Sequence, residues 1–369
     1  MGNIHIQTKS KEYDVHVGKE SLSHLTTIIQ NMQPSVSNIM IISDEAVASF
    51  HLQTVVDALQ IEQNVFSFVV PSGEKEKSFE NFYAAHTSAL ENKLDRNSLI
   101  IALGGGMIGD LAGFVAASFM RGIRFVQVPT TLLAHDSAVG GKVAINHLLG
   151  KNMIGAFHQP EAVVYHTPFL QSLPEKEWRS GYAEVIKHAL IGDVKLYHWL
   201  KEEVQTLADL RDEKLIHILT KAIPVKANIV SQDETEKGVR AHLNFGHTLG
   251  HALEKELGYG NITHGDGVAV GMLFALFLSE QVYKVDLSYE EMKQWFLKYG
   301  YPKMPSDLNV ERLVQLMKQD KKANAGAIHM VLMQEYGVVN VVSIPDETVH
   351  LALEAFQKDM GLRGCEVLV

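Results

Sequence analysis

Residues 99–113 read LIIALGGGMIGDLAG. Leu99–Leu103 is a short aliphatic run of the kind that fills a buried parallel strand. Gly104, Gly105 and Gly106 follow, and then an apolar stretch of helical character. A strand, a turn without side chains and a helix N-terminus in succession let backbone N–H groups come close to a phosphate. Gly109 and Gly113 leave room for the helix to pack tightly. The spacing is not GxGxxG, so a plain tight strand-to-helix turn is the competing reading. On either side lie similar units. Asn38–Ser43, Val65–Val70 and Phe125–Val128 are short Val/Ile/Phe-rich runs, and Ala46–Gln60 and Lys77–Lys93 between them carry helical patterns. Ile4–Thr8 and Tyr13–Val17 alternate as a hairpin would. Strands alternating with helices indicate an α/β domain with a mostly parallel sheet and a Rossmann-like edge.

After Pro174 the texture changes. Helical patterns cover Glu175–Leu190, Val194–Leu207, Lys214–Gln232, Leu243–Leu257, Gly267–Val285, Ser288–Lys298, Val310–Lys318 and Glu347–Lys358. Only Ala327–Met333 and Val338–Val342 read as strands, one small hairpin. The expected organisation is therefore an α/β domain over residues 1–168 and an all-α domain over 169–369. Pro160, Pro168 and Pro174 punctuate the boundary, and a cleft between two domains is the default place for a small-molecule site.

The 369 residues hold 33 Lys and Arg against 43 Asp and Glu, a net charge of −10. That argues against a general nucleic-acid binder, which needs a basic surface. The single cysteine, Cys365, excludes a disulfide framework and any cysteine-rich zinc module. A metal here must be held by His, Asp and Glu. The apolar stretch Leu103 to Met120 is broken by Asp110 and reads as core, and the N-terminus alternates like a strand, so a cytoplasmic protein is expected.

Several segments carry chemistry. PSGEKEKS (71–78) follows the strand Val65–Val70, and Ser43-Asp44 ends another strand. Both lie at C-terminal strand ends, where open α/β sheets bind ligands. Asp44 could accept from a ribose hydroxyl, although a helix N-cap is the commoner use of such a residue. In residues 121–160, Lys142 and Lys151 follow glycines in apolar surroundings, which suits anion binding. The densest constellation is Arg240-Ala-His-Leu-Asn244-Phe-Gly-His247-Thr-Leu-Gly-His251. On one continuous helix, Asn244, His247 and His251 would fall within an arc of about 60°, and Arg240 joins them if the helix starts early. His247 and His251 have the four-residue spacing of paired metal ligands, but HExxH is absent. Two imidazoles and one carboxylate with open positions make a catalytic zinc pattern. Spacing alone does not choose His264 over His251, nor Glu184 over other acids.

Taken together, these motifs resemble the 3-dehydroquinate synthase family of sugar phosphate cyclases. PSGEKEKS (71–78), GGGMIGDLAGF (104–114), Arg121-Gly122, PTTLLA (129–134), DSAVGGK (136–142), GKNMIGAFHQP (150–160), GYAEVIKHA (181–189), the run from Lys226 to Glu254, HGDGVAVGM (264–272) and DKK (320–322) carry the resemblance over nearly the whole chain. It implies an N-terminal NAD-binding domain and a C-terminal domain holding one divalent metal, Zn2+ or Co2+, on Glu184, His247 and His264. It implies NAD+ contacts from Asp44; from Ser72, Gly73, Glu74, Lys75, Glu76 and Lys77; from Gly105, Gly106, Met107, Ile108, Gly109 and Asp110; from Thr130, Thr131, Lys142 and Lys151; and from Phe169, Leu170, Gln171 and Ser172. Substrate contacts are implied for Asp136, Lys142, Lys151, Asn152, Lys187, Lys226, Arg240, Asn244, His251 and Lys322. Arg121 is expected to reach the substrate of a second subunit, so a homodimer is expected. Glu236 and His251 are the proton-transfer candidates, with Lys142, Arg240 and Asn244 beside them in the catalytic set.

The implied reaction converts 3-deoxy-D-arabino-heptulosonate 7-phosphate into 3-dehydroquinate and phosphate, the second step of chorismate and aromatic amino acid biosynthesis. The rivals are another sugar phosphate cyclase, a metal-dependent polyol dehydrogenase and a non-catalytic NAD-binding regulator. Two departures from the family pattern stand out. LLAHDS before Asp136 is one residue shorter and brings in His135, and Ser172 stands where a threonine is usual.

Overall fold

The structure is a computed structural model that describes residues 2–258, 260–320 and 327–361. It falls into two compact units, one formed by residues 1–178 with 210–235 and the other by 179–209 with 236–369.

The first unit is built on seven strands. β1 (Gly2–Gln7) and β2 (Glu12–Gly18) form an antiparallel hairpin at one edge. β3 (Asn38–Asp44), β4 (Asn64–Val70), β5 (Leu99–Gly104), β6 (Arg124–Pro129) and β9 (Ala162–His166) complete a sheet of order β1-β2-β9-β6-β5-β3-β4. All pairings beyond the first hairpin are parallel. Strand β5 shows why its sequence is apolar throughout. Ile100 and Ala102 enter the core on one face of the sheet, while Leu99, Ile101 and Leu103 enter the core on the other. Strand β4 lies on one side of β3 and β5 on the other, so the order reverses at β3. The C-terminal ends of β3 and β5 thus flank a topological switch point, the usual ligand edge of an open α/β sheet.

The glycine turn is a feature of close packing. After β5 the chain enters the helix Gly106–Ser118. A Cβ on Gly105 would come within 2.8 Å of Thr131 Cγ2, and one on Gly113 within 2.3 Å of Val143 Cγ1. Gly113 therefore lets this helix sit on β7 (Lys142–His147), which pairs with β8 (Gly150–Phe157) in a separate antiparallel hairpin. None of β7, β8 and β9 is among the strands expected from the sequence.

Two expected helices are interrupted. Ala46–Gln60 resolves into the turn Glu45–Val47, a wide π-type turn Ala48–Leu52 and the helix Gln53–Ala58. Leu243–Leu257 is not one helix: Val239–Asn244 is a 3-10 turn, and the α-helix runs from His247 to Leu257. Gly246 between them has φ +82°, left-handed backbone that a helix cannot contain. Arg240 and Asn244 therefore do not share a helix face with His247 and His251. The single cut expected after residue 168 also differs from the observed division. Helix Asp212–Gln232 packs on β1 and β2 of the first unit. Its periodicity announces an apolar face but not which surface covers it.

The second unit is helical, with one antiparallel hairpin of β10 (Ala327–Glu335) and β11 (Val338–Pro345). Helix His264–Tyr283 is long and apolar enough to cross a membrane, but it is largely buried in the protein.

Candidate active site

In the first unit, residues from three segments meet beyond the sheet's C-terminal edge. Lys77 is 2% exposed. Its Nζ lies 2.9 Å from Asp110 Oδ2 and 3.2 Å from Glu74 Oε1, and it donates to Asn152 Oδ1 at 2.5 Å. Asn146 Nδ2 donates to Glu74 Oε1 at 2.9 Å, and Lys151 Nζ stands 3.6 Å from the same oxygen. Burial disfavours the Lys77 cation, yet Asp110 and Glu74 outweigh it and raise its pKa. Burial likewise opposes the Glu74 carboxylate, but Lys77 and Lys151 lower its pKa. Asp110 is raised, because burial dominates there. The helix that holds Asp110 starts at the glycine turn, so this ion cluster ties the loop 71–78 and the β7–β8 hairpin to that turn.

Asp44 takes the N-cap role that its position suggested. Its Oδ1 accepts from Ala46 N and Val47 N at 3.1 and 3.3 Å, and from Ser72 Oγ at 2.7 Å. Thr130 and Thr131 follow β6, and Thr130 N donates to Gly104 O at 3.1 Å. Both threonine hydroxyls are buried without a hydrogen-bond partner. Asp136, five residues after Thr131, pairs with the distant Lys226, Nζ to Oδ2 at 3.1 Å. Lys142 and Arg121 are exposed.

In the second unit, Glu184 and Lys187 sit one turn apart on the helix Glu175–Gly192, both 1% exposed. Lys187 Nζ is 2.5 Å from Glu184 Oε2. His264 Nε2 and His247 Nε2 converge on Glu184 Oε1 at 3.2 and 3.4 Å. No well-aligned hydrogen bond satisfies either oxygen of this buried carboxylate. His247 Nδ1 is turned to Phe245 O at 3.2 Å, which leaves Nε2 as the ring's lone-pair nitrogen facing Glu184. His264 Nδ1 donates to Glu254 Oε2 at 3.1 Å. Each imidazole is thus oriented by a bond at its far nitrogen, the arrangement that supports histidine metal ligands.

The electrostatics separate the two rings. Burial drives His247 down to about 4, so it is neutral at pH 7. Burial also penalises the His264 cation, but the Glu184 and Glu254 carboxylates beside it outweigh that and raise the pKa to about 9. For Glu184, burial is outweighed chiefly by the Lys187 ammonium, which holds the carboxyl well below the usual range.

His251 stands beside this group, its ring 5.3 Å from that of His247 and 5.9 Å from that of His264. One ligand atom each from Glu184, His247 and His264 lies within 4.8 Å of the others, and the same holds for His251, Glu254 and His264. Asn244 Nδ2 donates to Glu236 Oε1 at 3.1 Å, and Arg240 is 1% exposed. Lys322 lies outside the described residues. Glu254 went unremarked in the sequence reading. Its signal was an acid on an apolar helix, three residues after His251.

Residues 67–180 match the 3-dehydroquinate synthase N-terminal family, and residues 181–323 match the 3-dehydroquinate synthase C-terminal family. A curated 3-dehydroquinate synthase of Bacillus cereus (strain AH187) is 96% identical over 364 residues, covering 99% of this chain and 100% of that protein. The chain belongs to the 3-dehydroquinate synthase family. Among solved structures, the fold matches 2-deoxy-scyllo-inosose synthase, crystallised with carbaglucose-6-phosphate, NAD+ and Co2+, with a TM-score of 0.87 at 22% identity. The alignment covers 96% of this chain and 100% of that one. It also matches 2-epi-5-epi-valiolone synthase of Streptomyces hygroscopicus subsp. jinggangensis 5008, with NAD+ and Zn2+ bound, at TM-score 0.84 and 20% identity, covering 96% and 99%.

Family membership sharpens the reading of both residue groups. The orphaned Thr130 and Thr131 hydroxyls beside the glycine turn suit a polar, anionic cofactor. Glu184 Oε1, facing two imidazole nitrogens, suits a divalent cation, whose nitrogen and oxygen donors these are.

Proposed function

We propose that this chain catalyses the conversion of 3-deoxy-D-arabino-heptulosonate 7-phosphate to 3-dehydroquinate and phosphate, with NAD+ regenerated in each turnover. The observation that carries this is the convergence of Glu184, His247 and His264 in a chain of this family. NAD+, when bound, would supply reversible hydride acceptance at C5 of the substrate. A divalent metal, Zn2+ or Co2+, held there would supply Lewis acidity toward substrate oxygens.

The chain's own residues do the rest. Glu184, His247 and His264 hold the metal, and Glu254 fixes the ring of His264. Arg240, Lys142, Lys151, Asn152, Lys187, Lys226 and Asn244 receive the carboxylate, phosphate and hydroxyls of the substrate. His251 and Glu236 move protons during elimination and ring closure. The glycine turn 104–106, Asp44, the 71–78 loop, Thr130, Thr131 and the 169–172 turn hold NAD+.

The enzyme acts in the cytoplasm as a homodimer, with Arg121 reaching the partner's substrate. Arg121 is exposed at left-handed backbone, φ +69°, beyond the end of its helix. Phe79, Tyr83, Leu148, Leu149 and Met153 leave an exposed apolar skin on the same unit, which supports a second copy.

The test is phosphate release from this substrate with NAD+ and Zn2+, followed together with absorbance at the NADH band. Stoichiometric phosphate without net NADH, dependent on both additions, is the expected result. Net NADH from a polyol would overturn the proposal. Phosphate release only from a neutral sugar phosphate would move the chain to a sister cyclase.

A further inference from the structure

His51 lies outside every motif that identified this chain, yet it holds together part of the first unit's ligand edge. The wide turn Ala48–Leu52 carries it. A turn of this kind inserts one extra residue into a helix, and such turns recur at functional sites. Here it follows the short turn Glu45–Val47, which Asp44, the last residue of β3, caps.

The His51 ring stacks on Phe169, with centroids 4.3 Å apart and planes 28° off parallel. His51 Nε2 lies 2.8 Å from Ser172 Oγ. Ser172 Oγ donates its own proton to Phe169 O at 2.9 Å, so the imidazole N–H is the donor to Ser172. Phe169 also meets His166 edge-on, at 4.7 Å and 74°. Burial lowers the pKa of His51 and, with His51 as neighbour, that of His166, so both rings pack as neutral groups at pH 7.

Strands β3 and β9 are separated in the sheet by β5 and β6. Three strand spacings of about 4.8 Å make a span of about 14 Å. The contact of His51 with Phe169 and Ser172 therefore bridges the strands that end in the glycine turn and in Pro129-Thr130-Thr131. One side chain links the exit of β3 to the turn that follows β9.

We propose that His51 is a positioning residue for NAD+: it holds Phe169 and Ser172 in the arrangement that receives the cofactor, an inference that rests on the assignment of this edge to NAD+. It acts through those two residues and takes no part in hydride or proton transfer.

The test is titration of the full chain with NAD+ by calorimetry, alongside steady-state kinetics. His51→Ala removes the stack and the hydrogen bond. NAD+ affinity is expected to fall about tenfold, with KM for NAD+ rising by the same factor and kcat changing less than twofold. KM for the sugar substrate stays within twofold. His51→Gln keeps a donor within reach of Ser172 and recovers part of the affinity, which loss of fold would not produce. Should His51→Ala unfold, His51→Gln and His51→Phe carry the test, each expected to weaken NAD+ about threefold. Wild-type NAD+ affinity in the folded variants overturns the inference while leaving the cofactor reading intact. A wild-type chain that binds no NAD+ overturns both.

Discussion

Replacing Glu254 with glutamine asks how much a carboxylate behind an imidazole contributes to metal binding. Glu254 is 4% exposed and accepts from His264 Nδ1 at 3.1 Å. Glutamine has nearly the same volume, so no cavity opens, and its amide oxygen can still accept that proton. What disappears is the charge. Hydrogen bonds to charged groups contribute about 1.5–3 kcal/mol and neutral ones about 0.5–1.5 kcal/mol, a difference of about 1–1.5 kcal/mol. At about 1.4 kcal/mol per factor of ten, Glu254→Gln weakens Zn2+ roughly tenfold. Glu254→Ala also removes the acceptor and frees the ring to turn, and approaches the roughly hundredfold limit for such partners. Competition against a chromophoric chelator at pH 7.5 measures both, with circular dichroism to confirm folding. Wild-type Zn2+ affinity in the two folded variants would refute the claim that Glu254 orients a metal ligand.

Four further outcomes follow from the geometry. His264→Ala should abolish metal-dependent turnover with the fold largely retained, and wild-type activity after exhaustive chelation would remove His264 from the ligand set. In chelator-treated protein, His264 is raised to about 9, so its contribution to stability is full below pH 6.5 and is lost as pH rises through 9. His247 is lowered to about 4, so its contribution is full above pH 6.5 and is lost as pH falls toward 4. Urea unfolding across pH 4–9 should therefore find these two rings favouring pH near 6.5, and their alanine variants should flatten the matching limb. Gly113→Ala places a Cβ 2.3 Å from Val143 Cγ1. Overpacking of about 1–3 kcal/mol exceeds the helix-propensity gain of about 1 kcal/mol, so Tm should fall by several degrees; an unchanged Tm would show that the β7–β8 hairpin yields. Arg240→Ala should raise KM for the sugar phosphate far more than KM for NAD+, and an unchanged substrate KM would take Arg240 out of the anion site.

Strands β3 and β5 were legible because both of their faces are buried. Their apolar runs at 38–44 and 99–104 have few competing explanations, whereas β4 was read from its Val and Phe content although most of it is half-buried or exposed. The β7–β8 hairpin was not legible. Strand β8 is mostly exposed, so nothing forces alternation on Gly150–Phe157, and its glycines and lysine read as loop. The helix drawn through Leu243–Leu257 failed at Gly246, where a left-handed residue ends one turn and starts another. Glycine permits that conformation without requiring it, and the sequence alone does not say which occurs. His51 was hidden for a related reason: a helical pattern over Ala46–Gln60 gives no sign of a residue inserted at 48–52.

Composition, motif order and the glycine-rich strand end were enough to settle the α/β plus helical organisation and the family, because each depends on residue types at short, fixed spacing. The sequence also offered the right kinds of metal donors, with His251 and His264 equally available by spacing. Only the tertiary structure turned Nε2 of His247 and His264 onto one oxygen of Glu184, placed Glu254 behind His264, and laid helix Asp212–Gln232 on the first unit's sheet. Those choices rest on contacts between segments tens of residues apart. They are decided by which buried surfaces fit and which buried charges find partners, and neither is written in local periodicity.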